Sequence, residues 1–262
     1  MNELIYKQGF QIFGLEISFY SVFVLIGILA GGITAVLLCK KRGFTVDTVL
    51  DLLIIVIPSA IVGARAYYVV FDWSSGNYKS FLDVISFWNG GIAIYGAAIG
   101  GGIGILIYAL VKKYSVLKIL DFVVPAFIIG QAFGRIGCTF AGCCYGKETG
   151  ITTFPIAIIV DGEYHLATNL YESLMCFIGY PLLFALCYKI SKPSGIVFSA
   201  YLIYYGIVRC VIEGFRGDSL YFFGTGLRSS QLLSIILIVC GVALAVYIIL
   251  KNKKLGENNG QQ

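Results

Sequence analysis

The chain is expected to be an all-α integral membrane protein with about seven transmembrane helices, its N-terminus outside and its C-terminus in the cytoplasm. Three observations predict this. Hydrophobic residues make up 58% of the 262 residues and charged residues 13%, against the usual quarter charged in soluble domains. The apolar residues fall into runs of about 20, the length that crosses a bilayer. Lysine and arginine alternate between the loops on the two sides.

The runs lie near residues 17–39, 48–72, 86–111, 117–137, 168–190, 195–215 and 229–250. No repeat, linker or low-complexity tract divides them, so residues 1–262 read as a single polytopic membrane domain. Met1 to Glu16 lack a basic start before a short apolar core, so they are not expected to form a signal peptide. Lys40, Lys41 and Arg42 follow the first run, and Lys112, Lys113 and Lys118 flank the junction of the third and fourth. Lys189 and Lys192 follow the fifth, and Lys251, Lys253 and Lys254 end the seventh. The other side carries Lys7, Lys79, Lys147, Arg216 and Arg228. The positive-inside rule then puts the first set in the cytoplasm. The net charge of +5 reports topology and contact with anionic lipid. No basic stripe with interleaved aromatics points to nucleic acid.

On this topology the polar residues within the runs gather in the outer leaflet. Tyr20, Arg65, Tyr95, Gln131 and Arg135 lie in the first four spans. Asn169, Tyr171 and Glu172 open the fifth, and Tyr205, Arg209 and Glu213 close the sixth. Most are expected within roughly 15 Å of the outer surface, at 1.5 Å per residue. An arginine inside a membrane must face a wet cavity or a fixed anion. Arg65, Arg135 and Arg209 therefore predict a cavity opening to the outer leaflet. A phosphate-bearing headgroup suits them, because guanidinium forks match phosphate oxygens. The competing readings are an Arg–Glu pair that locks helices for Tyr205, Arg209 and Glu213, and snorkelling for any single arginine.

Glycines and cysteines need separate readings. Gly130, Gly134 and Gly137 frame Arg135 and let backbone approach a helix or a ligand. Gly96 and Gly100 suit close helix packing. Gly90 and Gly91, beside Trp88, suit a break or re-entrant turn facing a cavity. Cys39, Cys176, Cys187, Cys210 and Cys240 read as packing residues. Cys138, Cys143 and Cys144 cluster on the outer side, but their spacing is not a zinc pattern and His165 is the one histidine. They read as structural thiols, with a reactive or disulfide role as the alternative.

Set side by side, these motifs resemble the bacterial prolipoprotein diacylglyceryl transferases along nearly the whole chain. Gly63-Ala64-Arg65-Ala66-Tyr67-Tyr68 is similar to the family's second-span motif, and Gly90 through Gly96 to its third-span motif. Gly134-Arg135-Ile136-Gly137-Cys138 through Gly146 resembles the family signature. Asn169-Leu170-Tyr171-Glu172 is similar to its Gln-Leu-Tyr-Glu. Tyr205-Gly206-Ile207-Val208-Arg209, with Glu213 and Phe215-Arg216-Gly217-Asp218, resembles its sixth-span motif, and Ser230 through Ser234 its last. The chain departs at Tyr95, where the family commonly has histidine. It departs again at Cys138 (asparagine), Cys143 (glutamate), Asn169 (glutamine) and Leu166-Ala167 (His-Pro).

The resemblance implies transfer of the diacylglyceryl group of phosphatidylglycerol to the lipobox cysteine thiol of a preprolipoprotein, in the bacterial plasma membrane. Arg135 and Arg209 are the expected phosphate binders and transition-state stabilisers. Glu213 and Arg65 are expected to orient them or line the headgroup pocket. Tyr95 stands at the proton-handling position. Tyr20, Tyr205, Gln131, Gly134, Gly146 and Cys138 are the remaining expected substrate contacts. No metal or diffusible cofactor is expected. The alternatives are a divergent paralogue acting on another acceptor, a non-catalytic lipid binder, and a transporter. The one-sided polar cluster and the absence of an inverted repeat argue against transport.

Overall fold

Seven helices long and apolar enough to cross a membrane account for most of the chain, in a computed structural model that describes residues 9–12, 15–75, 78, 80–190, 192–217 and 228–259. Lys7, Lys79 and Asp218 lie outside the described residues. The long helices are α1 (Phe19–Cys39), α2 (Val46–Asp72), α4 (Ile94–Val111), α5 (Val116–Phe140), α6 (Thr168–Lys189), α7 (Ile196–Gly214) and α8 (Ser229–Asn259), with a short α3 (Phe81–Ile85) after α2. Two antiparallel hairpins accompany them. β1 (Gly9–Ile12) pairs with β2 (Leu15–Ser18), and β3 (Ala157–Val160) pairs with β4 (Glu163–Leu166). The hairpins were not legible from apolar periodicity, because four-residue strands carry too little pattern.

The helix starts follow local chemistry. The Ser18 side chain accepts the Ser21 N–H at the start of α1. Thr45 and Thr48 form a capping box on α2, and Ser80 and Asp83 form one on α3, each satisfying backbone N–H groups that no helical carbonyl reaches. Pro58, Pro125 and Pro181 sit inside long helices, as apolar spans tolerate.

The chain divides into two compact units, one of residues 1–42 with 121–262 and one of residues 43–120. In the 43–120 unit, glycine brings α2 and α4 together. A Cβ on Gly96 would meet the Gly63 carbonyl oxygen at 2.3 Å, and one on Gly100 the Ser59 oxygen at 2.2 Å. This is the close packing expected of Gly96 and Gly100. The third span begins at Ile94, not near residue 86 as the apolar run suggests. Gly90 and Gly91 hold φ of +87° and +68°, a left-handed backbone that ends a helix and that only glycine adopts freely. The expected break is there.

The first unit joins α1 to α5 in the same way. A Cβ on Gly27 would lie 3.0 Å from the Gly130 oxygen, and one on Gly137 3.2 Å from the Tyr20 backbone oxygen. The Ser173 hydroxyl donates to the Ala132 carbonyl at 2.8 Å and ties α6 to α5. Of the cysteines expected in packing, Cys39, Cys176 and Cys187 are buried, whereas Cys240 is exposed on α8.

At one end of this unit four helix ends are locked by a buried ion pair. Arg42 donates from Nη2 to Asp121 Oδ2 at 3.0 Å, and both side chains are 1% exposed. Arg42 Nη1 also reaches the Ile190 carbonyl. The same carboxylate accepts the N–H groups of Gly195 at 2.7 Å and Phe198 at 2.8 Å. It thereby caps the start of α7, where negative charge favours the helix dipole. Arg42, expected among the cytoplasmic charges that follow the first span, is engaged in a buried ion pair. Asp121→Ala strands a buried guanidinium and uncaps α7. It is expected to cost about 3–5 kcal/mol, read as a lower thermal midpoint in detergent; an unchanged midpoint would contradict the lock.

Candidate active site

The other end of the first unit gathers its charges around one carboxylate. Glu172 stands one turn into α6 and is 2% exposed. Arg135, near the end of α5, presents Nε to Glu172 Oε1 at 3.1 Å. Arg209, in the last turns of α7, presents Nη1 to Oε2 at 3.1 Å. The Tyr205 hydroxyl, one turn before Arg209, donates to Oε1 at 2.7 Å. Arg209 also reaches Glu213 through Nη2 at 2.9 Å, an i, i+4 pair on its own helix. Three helices thus meet at a single buried acid, so the helix-locking reading of this set is realised.

Locking does not exhaust the charges. Arg228, just before α8, donates from Nη1 to the Glu213 carbonyl and to the Arg216 carbonyl, the latter at 3.1 Å. Arg216 is held by a backbone bridge to Gly146, close enough to Cys144 to act on its charge. Arg135 and Arg209 therefore meet the two carboxylates directly, while Arg228 ties down the backbone after α7. The Arg135 and Arg209 side chains remain 16% exposed, so part of each is open to a ligand. A Cβ at Gly134 would meet no described atom within 4 Å, which leaves room beside Arg135. Partly exposed guanidinium groups held in place this way are chemically suited to a phosphate.

The supporting residues are aromatic and amide. Tyr205 stacks on Tyr201 with centroids 5.7 Å apart. The Tyr201 hydroxyl donates to Gln131 Oε1 at 3.0 Å. Gln131 therefore positions the tyrosine stack. Tyr20, on the first turn of α1, lies within electrostatic reach of Arg135 and of Cys138, Cys143 and Cys144. Gly146 is packed: its N–H donates to the Leu166 carbonyl at 2.8 Å, and a Cβ there would meet the Leu166 Cβ at 2.7 Å.

Arg65 and Tyr95 belong to the 43–120 unit. Arg65 Nε donates to the Val84 carbonyl at 2.8 Å, Nη1 to the Gly90 and Gly91 carbonyls at 2.9 Å, and Nη2 to the Asp83 carbonyl at 2.6 Å. It clamps the loop that ends at α4. A cavity of about 250 Å³ lies beside it, lined also by Tyr68, Tyr78, Asp72, Asp83 and Ser86. Tyr95 is 51% exposed, with its ring 6.3 Å from that of Tyr67.

After α5 the chain makes a tight loop. Gly142 and Cys144 take φ of +61° and +62°. The Cys143 N–H donates to the Cys138 carbonyl at 3.2 Å, and the Thr168 hydroxyl donates to the Cys144 carbonyl at 3.0 Å. The sulfur atoms of Cys138, Cys143 and Cys144 then lie within 4.8 Å of one another. Thiol hydrogen bonds from Cys138 and Cys143, and then the charges of Arg135 and Arg216, hold the Cys144 thiol below its ordinary range. The contacts with Cys138 and Cys144, and then burial, push Cys143 up. The expected cluster on the outer side is present, and the close approach of its sulfur atoms depends on Cys144 adopting a left-handed backbone rare outside glycine.

Glu172 is the central residue that sequence reasoning left out of the site. Its signal was present: it follows Tyr171 in the polar opening of the fifth span, and a carboxylate there needs a partner. The sequence offers Arg228 only as a loop charge, and Arg216 as a loop charge within the sixth-span motif.

Comparison with known proteins places these residues among relatives. The family model described as prolipoprotein diacylglyceryl transferase matches residues 7–247. A phosphatidylglycerol–prolipoprotein diacylglyceryl transferase of Finegoldia magna is 40% identical over 240 residues, covering 92% of this chain and 94% of the relative. Proteins of the same name from Streptococcus uberis and Clostridium perfringens are 37% and 38% identical, each covering 94% of this chain and 95% of its own.

Proposed function

The chain belongs to the prolipoprotein diacylglyceryl transferase family, and from that premise we propose how its own residues carry the reaction. It is a multi-pass membrane transferase that moves the diacylglyceryl group of phosphatidylglycerol to prolipoproteins, the first step of lipoprotein maturation. The acceptor is the lipobox cysteine thiol, and the membrane is the bacterial plasma membrane. The N-terminus lies outside and the C-terminus in the cytoplasm. A single transferase domain over residues 1–262 is part of the same proposal.

The observation that carries the reading is the meeting of Arg135 and Arg209 at the buried Glu172, with each arginine side chain still 16% exposed. Arg135 and Arg209 take the phosphate of the donor. The acceptor thiolate attacks the glyceryl carbon that bears the phosphoester, the bond from that carbon to the phosphate oxygen breaks, and glycerol phosphate leaves. Negative charge gathers on the departing oxygen, where fixed guanidiniums in a water-poor site act most strongly. Glu172 and Glu213 hold the two arginines in register. Tyr20 bonds phosphate or glycerol oxygens, and Tyr205, whose proton goes to Glu172, accepts from a glycerol hydroxyl, with Gln131 behind the tyrosine stack and Gly134 leaving space. Arg65 fixes the loop before α4 within its own unit, and Tyr95 occupies the family's proton-handling position.

The test uses purified protein in phosphatidylglycerol vesicles with a synthetic lipobox peptide. Release of glycerol phosphate, matched by a diacylglyceryl gain in peptide mass, is the expected result. No release from folded protein that still holds lipid would move the assignment to another acceptor.

A further inference from the structure

The activity above needs a thiolate from the incoming cysteine, whose free thiol has a pKa near 8.5. A feature outside the arginine cluster bears on this. Cys138, Cys143 and Cys144 form, among the described residues, the cluster of metal-ligating side chains whose ligand atoms lie together, with all three sulfurs within 4.8 Å. All three cysteines are free and partly buried. Zinc–sulfur bonds of about 2.3 Å place thiolates about 3.8–4.0 Å apart, a small contraction from the observed spread. The loop is fixed rather than loose. Gly142 and Cys144 hold the left-handed turn. Thr168 and Asn169, at the start of α6, donate to the Cys144 and Cys143 carbonyls at 3.0 and 3.5 Å.

We propose that Cys138, Cys143 and Cys144 bind one thiophilic divalent cation of zinc's class, and that its open fourth position receives the acceptor cysteine as a thiolate. The donor set fits: three soft thiolates with one vacant tetrahedral position is the arrangement of a catalytic rather than a closed structural zinc site. The charge fits as well. Three thiolates on a divalent cation carry one net negative charge, and Arg135 and Arg216 stand close enough to offset it. The location fits the chemistry, since Cys138 lies one helical turn beyond Arg135 on α5. A coordinated thiol is deprotonated outright. Its proton passes to water, its sulfur bonds the glyceryl carbon, and the carbon–oxygen bond to the leaving phosphate breaks. Nothing is oxidised or reduced. The thiol-activating half of this proposal rests on the transferase reading; the metal-binding half does not.

The test titrates cobalt(II) into reduced, metal-free, full-length protein in detergent micelles. One equivalent is expected to bind with a sulfur-to-cobalt charge-transfer band that zinc abolishes. Cys138→Ser and Cys144→Ser should each weaken cobalt binding by more than about a hundredfold, beyond the loss typical of outer-shell changes. Cys240→Ser should leave it unchanged, and circular dichroism should show each variant folded. Addition of a lipobox peptide should shift the band, whereas the same peptide with serine for cysteine should not. Eight free thiols without a cobalt band would overturn the site, and so would a lower thiol count that maps a disulfide to this cluster. A cobalt band with full turnover after metal removal would overturn thiol activation alone and leave the transferase reading standing.

Discussion

Arg135→Ala is expected to lower turnover by about a hundredfold to a thousandfold, the usual cost of removing one group aimed at charge that develops in the transition state. The loss should fall mainly on kcat, because the group acts most strongly on the departing phosphate. The fold should survive. Glu172 keeps Arg209 at 3.1 Å and the Tyr205 hydroxyl at 2.7 Å, so no buried charge is stranded. Arg135→Lys should recover only part of the activity, since an ammonium lacks the planar fork that engages a carboxylate and a phosphate together. Turnover by the transfer assay, with circular dichroism as the folding control, checks both variants. Full activity in Arg135→Ala would remove Arg135 from the anion site.

Glu172→Gln should have the opposite balance of effects. The amide preserves volume but removes the charge that holds Arg135, Arg209 and Tyr205 in one arrangement. Arg135 and Arg209, each 16% exposed, then lose their shared counter-ion while Arg209 keeps Glu213, at an expected cost of about 3 kcal/mol, the low end for a broken buried pair. Thermal unfolding in detergent should show that loss. Activity should fall as well, because arginines released from their positions no longer meet the phosphate in the productive geometry. Glu213→Gln should be milder, since Arg209 retains Glu172. Equal thermal midpoints for the Glu172 and Glu213 variants would show that the carboxylate at the centre of the cluster has no special role.

Much of this was legible in the chain itself, for physical reasons that differ from residue to residue. Apolar run length announces a membrane helix, so seven spans could be read, with the third misplaced because Gly90 and Gly91 interrupt an otherwise apolar stretch. Arg135 and Arg209 were legible because a charge in an apolar run demands a function. Glu172 was harder, since an acid at a span boundary resembles any interfacial residue until its partners are known. The β3–β4 hairpin and the close approach of the three sulfur atoms were illegible, because both depend on a loop conformation that no periodicity encodes. Arg65 was legible as important, but its employment on backbone carbonyls emerges only from the fold.

The arginine cluster is proposed as the seat of the donor's phosphate. Native mass spectrometry of the detergent-purified protein, offered equal phosphatidylglycerol and diacylglycerol, tests that claim most directly. The wild type should retain phosphatidylglycerol over the lipid that lacks the phosphate, and Arg135→Ala and Arg209→Ala should lose that preference while staying folded. Equal retention of phosphatidylglycerol by the wild type and both variants would contradict it.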